Sequence, residues 1–304
     1  MEQSVPANHS GRLAPTRRRG VWAKRLSPYF LSLPAGLWLL LLFIVPLVLM
    51  LSETLKTCSP ASGACTMTWN WGELPHQVNL YRAQFVTSLE FALFATVIDL
   101  VISFPIAYWI AFYGGRRKNF FLMMLLVPFF VSYVIRTLVW EFILSNNGFL
   151  FSFLHRHHLV PGGFHVLGTS VAVIAGLAYN YLPFTALPLY VAIERIDHRV
   201  LDAAHDLFAN KRSAFMKVIL PLAIPGVYAA FLLTFIPAFG DYLNQEILGG
   251  TSNTMIGTVI QNSFLVNADY PAGSSLSVVL LAISLIGIFL YARVLGSRTI
   301  EEYL

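Results

Sequence analysis

VLDAAHDLFANKRSAFMKVILPLAIPGV, residues 200–227, is the stretch on which the reading of this chain turns. Its first half has helical spacing, with Leu201, Ala204, Leu207 and Phe208 to one side and Asp202, His205 and Asp206 elsewhere. A short turn is expected around Asn210 and Lys211, followed by a second short helix that reaches Pro221. Spacing alone suits two structures equally: a helix–turn–helix knob projecting from a membrane domain, or an amphipathic helix lying among the lipid headgroups.

Both structures presuppose a membrane, and the rest of the chain supplies it. Of 304 residues, 57% are hydrophobic and 12% charged, where soluble domains carry about 25% charged residues. The apolar residues come in six blocks, at roughly 28–52, 84–113, 118–145, 167–192, 219–241 and 274–296. Each is long enough to cross a bilayer as a helix, and backbone groups in lipid must bond within their own segment. A transmembrane barrel would show segments of about ten residues alternating in polarity. None is present here. Pro34, Pro46, Pro105, Pro128, Pro183, Pro188 and Pro237 lie inside these blocks, which membrane helices tolerate where neighbours or water meet the freed carbonyls.

Lysine and arginine set the expected orientation. Sixteen of the 20 flank the same side: the N-terminal tail, the 114–119 turn, the 194–217 segment and the C-terminal end. Lys56, Arg82 and Arg156 fall on the other side, and Arg136 inside a block. The positive-inside rule then places both termini and the 194–218 loop in the cytoplasm. Residues 1–27 form a basic cytoplasmic tail with no signal-peptide cleavage site, and residues 28–304 the transmembrane domain. The net charge of +5 belongs to this topology signal. No basic face interleaved with aromatics is present, so no nucleic-acid partner is expected.

The 200–227 stretch resembles the coupling loop of ABC importer permeases, whose motif runs Glu-Ala-Ala, three residues, Gly, then spaced Phe, Val, Leu-Pro and Pro-Gly. Asp202, Ala203 and Ala204 stand at its first positions, and Phe215, Val218, Leu220, Pro221, Pro225 and Gly226 follow in register. Asp202 replaces the usual glutamate. Phe208 stands where the family has glycine, so the close turn expected there has to be made in another way.

The resemblance implies an all-α membrane protein with six transmembrane helices, the type I ABC importer permease fold with a cytoplasmic coupling helix. It also implies that Asp202, Ala203, Ala204, Leu207, Phe208, Ala209, Phe215, Pro221 and Gly226 couple the helices to an ATPase. The implied partners are a second homologous permease subunit, two copies of an ATP-binding subunit, an extracytoplasmic solute-binding protein and the lipid of a bacterial inner membrane. The chain has no G-x-x-x-x-G-K-[ST] element, and no glycine precedes a lysine. ATP and magnesium are therefore expected on the partner, with no cofactor and no catalytic residue on this chain.

The second informative stretch, FIPAFGDYLNQEILGGTSNTMIGTVIQNSF at 235–264, reads as a helix end near Phe239 and Gly240, then an outer segment broken at Gly249 and Gly250. Asp241, Glu246 and, beyond it, Asp269 are the charges of this segment, which carries no lysine or arginine, and they give the outer side an acidic mouth. The same residues could instead cap helices and keep a loop wet. The strings FIP-x-FGD, LGG and MIG, the pair Gln261 and Asn262, and the 126–140 run LVPFFVSYVIRTLVW resemble permeases of spermidine/putrescine importers, with likeness from about Leu31 onward. Polyamines are linear polycations, so carboxylates and aromatic faces suit their route. Asp241, Tyr242, Glu246, Tyr179, Tyr181 and Asp99 are the candidate lining residues.

Asp99, Arg136 and Glu141 are charges inside apolar blocks, where charges usually face the bundle interior or water. An Asp99–Arg136 pair between helices is the structural expectation, and cation passage past Asp99 the functional one. Cys58 and Cys65 lie in the first outer loop, where a disulfide and two separate thiols are equally open. His155, His157, His158 and His165 read as a solvated loop rather than a metal site. Other solutes of the same family, and an ion-coupled secondary transporter, are the competing functions. The secondary transporter would show inverted repeats, and none is visible.

Overall fold

The computed structural model describes residues 21–58, 65–157, 161 and 164–301. Most of the predicted basic tail and His158 lie outside these residues. The chain divides into two compact units, Met1–Leu49 and Met50–Leu304. The first holds most of helix α1 (Val21–Thr54), whose Leu33–Thr54 portion is apolar enough and long enough to cross a membrane.

The second unit opens with a small hairpin, β1 (Lys56–Cys58) and β2 (Cys65–Met67), antiparallel with Cys58 opposite Cys65. Cys65 is disulfide-bonded, which resolves the alternative that spacing left open. Helices α2 (Glu73–Leu80), α3 (Arg82–Tyr113), α4 (Lys118–Leu126), α5 (Tyr133–Leu144), α6 (Phe149–Arg156) and α7 (Ser170–Glu194) follow. Then come the short α8 (His198–Asp206) and α9 (Lys211–Ala214), a π-helical turn at Phe215–Ile219, and α10 (Leu220–Phe239). Helices α11 (Leu243–Leu248), α12 (Ile256–Leu265) and α13 (Tyr270–Glu301) complete the chain.

The centre of this unit is a three-helix core in which α3, α7 and α10 each pack on the other two. Their facing surfaces are rich in small residues. Ala92, Ala95, Ala107 and Ala111 on α3 meet Ala172, Ala178 and Ala186 on α7 and Ala223 and Ala230 on α10, all buried. Lipid offers helices no hydrophobic drive to associate, so close van der Waals approach has to supply it, and small residues allow that approach. Gly226 marks the limit: a Cβ there would stand 2.2 Å from the Ala192 Cβ. Polar contacts add to the packing where α7 meets its neighbours. The hydroxyls of Thr185 and Thr234 lie 2.6 Å apart, and Ser103 donates to the Leu182 carbonyl at 3.4 Å. Outward faces stay apolar and uncovered, as at Phe94, Val101, Phe142 and Val171, the pattern of a surface that meets lipid.

Five of the predicted blocks are single long helices that qualify as spans, and the third is not. Its halves, Gly115–Phe130 and Tyr133–Leu144, are bent by 86°. Residues Val127–Phe130 form a 3₁₀ turn with Pro128 in its first positions, and Val131 and Ser132 are extended. Proline offers no N–H to the ladder, and the two extended residues end it. The hydropathy of the block is continuous, so composition alone does not show this break.

Candidate functional site: a cleft at a broken helix and a coupling loop

Interrupted backbone at membrane depth persists only where protein or a water-filled cavity meets the freed polar groups. Here the break opens a cleft of about 560 Å³. Five aromatic rings line it: Phe129, Phe130, Tyr133, Tyr181 and Phe184. Arg136 and Asn180 complete the wall. Tyr133 is the first residue of α5, and the Arg136 N–H one turn on donates to the Ser132 carbonyl at 3.0 Å.

Behind the two tyrosines stands Asp241, in the three-residue link between α10 and α11 and 7% exposed. Tyr133 and Tyr181 both donate their hydroxyls to its Oδ2, the latter at 2.9 Å. The Asn244 backbone N–H donates to Oδ1 at 2.8 Å, and its side-chain amide donates to Oδ2 at 3.3 Å and to the Tyr133 hydroxyl. Asn180 extends the network by donating to Asn244 Oδ1 at 3.0 Å and to Thr137 Oγ1 at 3.1 Å. One carboxylate thus ties together α5, α7 and the α10–α11 link, all through neutral donors. The Asn180 Oδ1 is buried on the cleft wall and accepts no hydrogen bond.

Glycine makes this packing feasible. A Cβ on Gly257 would lie 2.4 Å from the Gly240 carbonyl oxygen and 2.8 Å from that of Asp241. The first turn of α12 therefore rests directly on the backbone that carries Asp241. The Ile256 N–H donates to Ser88 Oγ on α3 at 2.7 Å and fixes α12 there.

Of the six candidate lining residues, the structure brings Asp241 and Tyr181 together and distributes the rest. Tyr179 points from α7 toward Trp140, with ring centroids 5.5 Å apart. Tyr242 lines a second cleft of about 500 Å³ with Gly240, Gln261 and Ser277. Glu246 is exposed on α11. Asp269 caps α13, accepting from the Ala272 N–H at 3.2 Å, so the outer acidic residues do not converge on one mouth.

Asp99 is fully buried on α3, and neither of its oxygens has a hydrogen-bond partner. The expected Asp99–Arg136 pair is not formed. Among the described residues the ion pairs are Lys56–Glu53 and Lys118–Glu194. The reason is topological: α3 packs chiefly on α7 and α10, whereas α5 packs on α11 and α7. The Arg136 guanidinium instead lies over the Phe129 ring, 4.2 Å from its centroid, and 5.7 Å from that of Tyr133.

Reading the residues one block at a time did not single out Tyr133, Asn180 and Asn244. Asn180, a full amide inside an apolar block, was the available signal.

At the far end of the core, the 200–227 stretch folds as a short helix, a turn and a second helix. Leu201 and Ala204 of α8 are half-buried, and Asp202 and Ala203 are exposed. The apolar stripe expected to continue through Leu207 and Phe208 stops at the end of α8, and both of those side chains are exposed, Phe208 at 97%. Phe208 does not replace the glycine turn with another geometry. It adopts the left-handed conformation itself, at φ 59°. The Ala209 N–H donates to the Ala204 carbonyl at 3.0 Å, the six-to-one bond of a glycine-type helix cap.

The left-handed conformation costs a non-glycine residue roughly 1–2 kcal/mol. Phe208→Gly is therefore expected to slow hydrogen exchange at this turn by about fivefold or more. Exchange at the wild-type rate, followed by mass spectrometry on peptides covering 200–212, would show that the turn holds no such strain.

Phe215 anchors the loop's root. Its ring meets Phe104 and Tyr108 of α3 edge-on, at 5.4 Å and 5.8 Å. Pro221 stands in the first turn of α10, directly after the π-helical turn at Phe215–Ile219. Asp202 and Lys211 line a hollow of about 230 Å³ with Tyr108, Phe112 and Tyr113. Packed rings, rather than a flexible strand, thus join the root of the loop to α3.

Residues 92–298 match the family described as binding-protein-dependent transport system inner membrane component. The chain belongs to that family. The permease is 34% identical over 261 residues to the spermidine/putrescine transport system permease protein PotB of Haemophilus influenzae, covering 84% of this chain and 90% of that one. It is 33% identical to PotB of Escherichia coli, covering 87% and 96%. Among solved structures it is similar to a bacterial ABC transporter that imports the acidic polysaccharide alginate, with TM-score 0.67 at 18% identity over 90% of this chain and 99% of that one. That likeness bears on the fold, and it supports the type I importer permease architecture.

The permease is a multi-pass inner membrane protein that works with a solute-binding protein. It is the transport subunit of an ABC importer, and ATP hydrolysis lies on a separate subunit. Family membership sets aside the ion-coupled secondary transporter.

Proposed function

We propose that the permease carries polyamines of the spermidine and putrescine class through the cleft at the broken third span. The observation that carries this reading is the chemistry of the cleft wall: five aromatic rings, the unfilled acceptor of Asn180, and the Asp241 carboxylate behind two tyrosine hydroxyls. Ammonium groups are attracted to aromatic faces and donate to such acceptors. The PotB proteins, matched over most of the chain, are named for the same solutes. Glu246, Tyr242, Tyr179 and Asp99 lie outside this wall, and we assign the pathway to Asp241, Tyr181, Tyr133 and Asn180 first.

The distribution of lysine and arginine supports cytoplasmic termini and a cytoplasmic 194–218 loop. In that orientation α8, with Asp202, Ala203 and Ala204, seats on an ATPase subunit that holds ATP and magnesium. Leu207 and Phe208 form its exposed tip with the half-buried Ala209 beside them, and Phe215, Pro221 and Gly226 pass its movement to the core. A second homologous permease subunit completes the pore, with two ATPase copies below it.

The test is uptake of labelled spermidine by a strain lacking this gene and any other polyamine importer. Restoration by the wild-type gene, and a loss of about tenfold or more with Asp202→Ala at unchanged membrane level, is the expected result. Uptake equal with and without the wild-type gene would overturn the solute. Full uptake by Asp202→Ala would overturn the coupling role.

A further inference from the structure

The cleft already contains a cation, and it belongs to the chain. Arg136 is about nine-tenths buried on the cleft wall, and its Nε and Nη1 have no hydrogen-bond partner. Its guanidinium lies over Phe129 at 4.2 Å, on one of the aromatic faces that a passing ammonium would use. The carboxylate nearest in this network is not paired with it, because Tyr133, Tyr181 and Asn244 saturate Asp241 with neutral donors. Tyr133 links the two charges: its hydroxyl donates to Asp241 while its ring lies beneath the Arg136 guanidinium, 5.7 Å from the centroid.

We propose that Arg136 is a tethered stand-in for the substrate's ammonium group, occupying the aromatic wall of the cleft and leaving only when a polyvalent cation displaces it. The inference rests on the reading of the cleft as a cation route, and it adds how that route rejects the wrong cations. A guanidinium fixed to the wall is present at a high effective concentration that small monovalent ions cannot match. It also repels any cation entering singly, in a site where water screens poorly. A linear polyamine differs in bringing several ammonium groups on one chain. One can bind the open acceptor of Asn180 while the next competes for the Phe129 face. When the polyamine moves on, Arg136 returns and the wall is again closed.

The sequence around it makes this movement feasible. Arg136 lies one turn into α5, immediately after the extended Val131 and Ser132, so the guanidinium sits at the hinge of the broken span rather than inside a continuous helix. Glu141, five residues on, is poorly placed on α5 to hold it.

The experiment uses the assembled importer in proteoliposomes, with passive entry of rubidium measured in the absence of ATP and spermidine-stimulated ATP hydrolysis measured in parallel. Arg136→Gln is expected to raise rubidium entry about tenfold over wild type and to lower the half-maximal spermidine concentration by a similar factor. Arg136→Lys, which keeps a cation on the wall, is expected to stay close to wild type in rubidium entry. Phe129→Leu removes the ring that holds the guanidinium without touching the charge, and it decides the matter should Arg136→Gln fail to assemble. It too is expected to leak.

Rubidium entry at the wild-type level in whichever of Arg136→Gln and Phe129→Leu assembles would overturn the proposal. Because rubidium reports without any polyamine, a leak in these variants alongside a wild-type complex indifferent to spermidine would keep the gate and overturn the solute.

Discussion

Asp241→Ala is expected to abolish uptake and to lower the amount of permease in the membrane, whereas Asp241→Asn keeps the protein and loses the transport. The difference follows from the donors that converge on this carboxylate. Removing it leaves the Tyr133 and Tyr181 hydroxyls and the Asn244 N–H without their acceptor in a buried site. Each buried donor left unmade costs about 1–3 kcal/mol. Together they remove about 3–9 kcal/mol from a fold whose whole stability is of order 5–15 kcal/mol. The three elements that Asp241 ties together, α5, α7 and the α10–α11 link, would then part at the cleft.

Asparagine at the same position keeps an acceptor for the Asn244 N–H, and its amide can donate to the two tyrosine oxygens. Packing survives, and the negative charge does not. A charge-assisted hydrogen bond is worth about 1.5–3 kcal/mol, so uptake should fall by about tenfold or more at equal membrane level. Immunoblotting of membranes alongside spermidine uptake separates the two variants. Wild-type uptake by Asp241→Asn would show that the charge serves only to hold the tyrosines.

The second large effect is expected at Gly257, a residue with no side chain to offer a ligand. Its missing Cβ is what lets α12 rest on the backbone of Gly240 and Asp241, since a Cβ there would stand 2.4 Å and 2.8 Å from their carbonyl oxygens. Neither contact is with the tip of a flexible side chain, so nothing can turn aside. Retreat of α12 is opposed by the bond from the Ile256 N–H to Ser88 on α3. Overpacking a well-packed site costs typically about 1–3 kcal/mol, and here the strain falls on the loop that aims Asp241. Gly257→Ala should therefore lower the apparent melting temperature of the purified permease by about 5 °C or more and reduce uptake with it. Gly287→Ala is the control, since a Cβ there meets nothing within 4 Å. Equal behaviour of the two variants would mean that the Gly257 contact relaxes without consequence.

Much of this architecture was legible from composition and spacing. Five of the six apolar blocks correspond to single long helices in the structure, and the sixth to the bent pair. The coupling motif located its helix, turn and following helix within a few residues, because helix ends and prolines carry local signals. Phe208 shows where such signals stop. The glycine of the motif marks a backbone conformation, and the chain keeps the conformation while changing the residue, at φ 59°. A substituted motif position says which residue is unusual but not whether the backbone or the side chain yields.

The site was legible only in part. Asp241 and Tyr181 stood out as an acid at a helix end and an aromatic in a block. Tyr133 did not, since an isolated tyrosine in an apolar run is ordinary. The Asp99–Arg136 pairing failed because opposite charge is a condition for a pair and adjacency of helices is another. Only the second was missing.

By itself the sequence determined that the chain lives in a membrane, how many times its apolar blocks can cross it, which ends carry the basic residues, and where the coupling knob lies. These are properties of runs and local periods, fixed by the length of a helix that spans lipid and by the 3.6-residue repeat. The tertiary structure alone decided that the third block breaks at Val131 and Ser132, and that Tyr133 and Asp241, 108 residues apart, share a hydrogen bond. It also decided that Arg136 lies against Phe129 rather than beside Asp99. Each of these depends on which helix faces which. Small-residue packing settles that for α3, α7 and α10, and no local pattern records it.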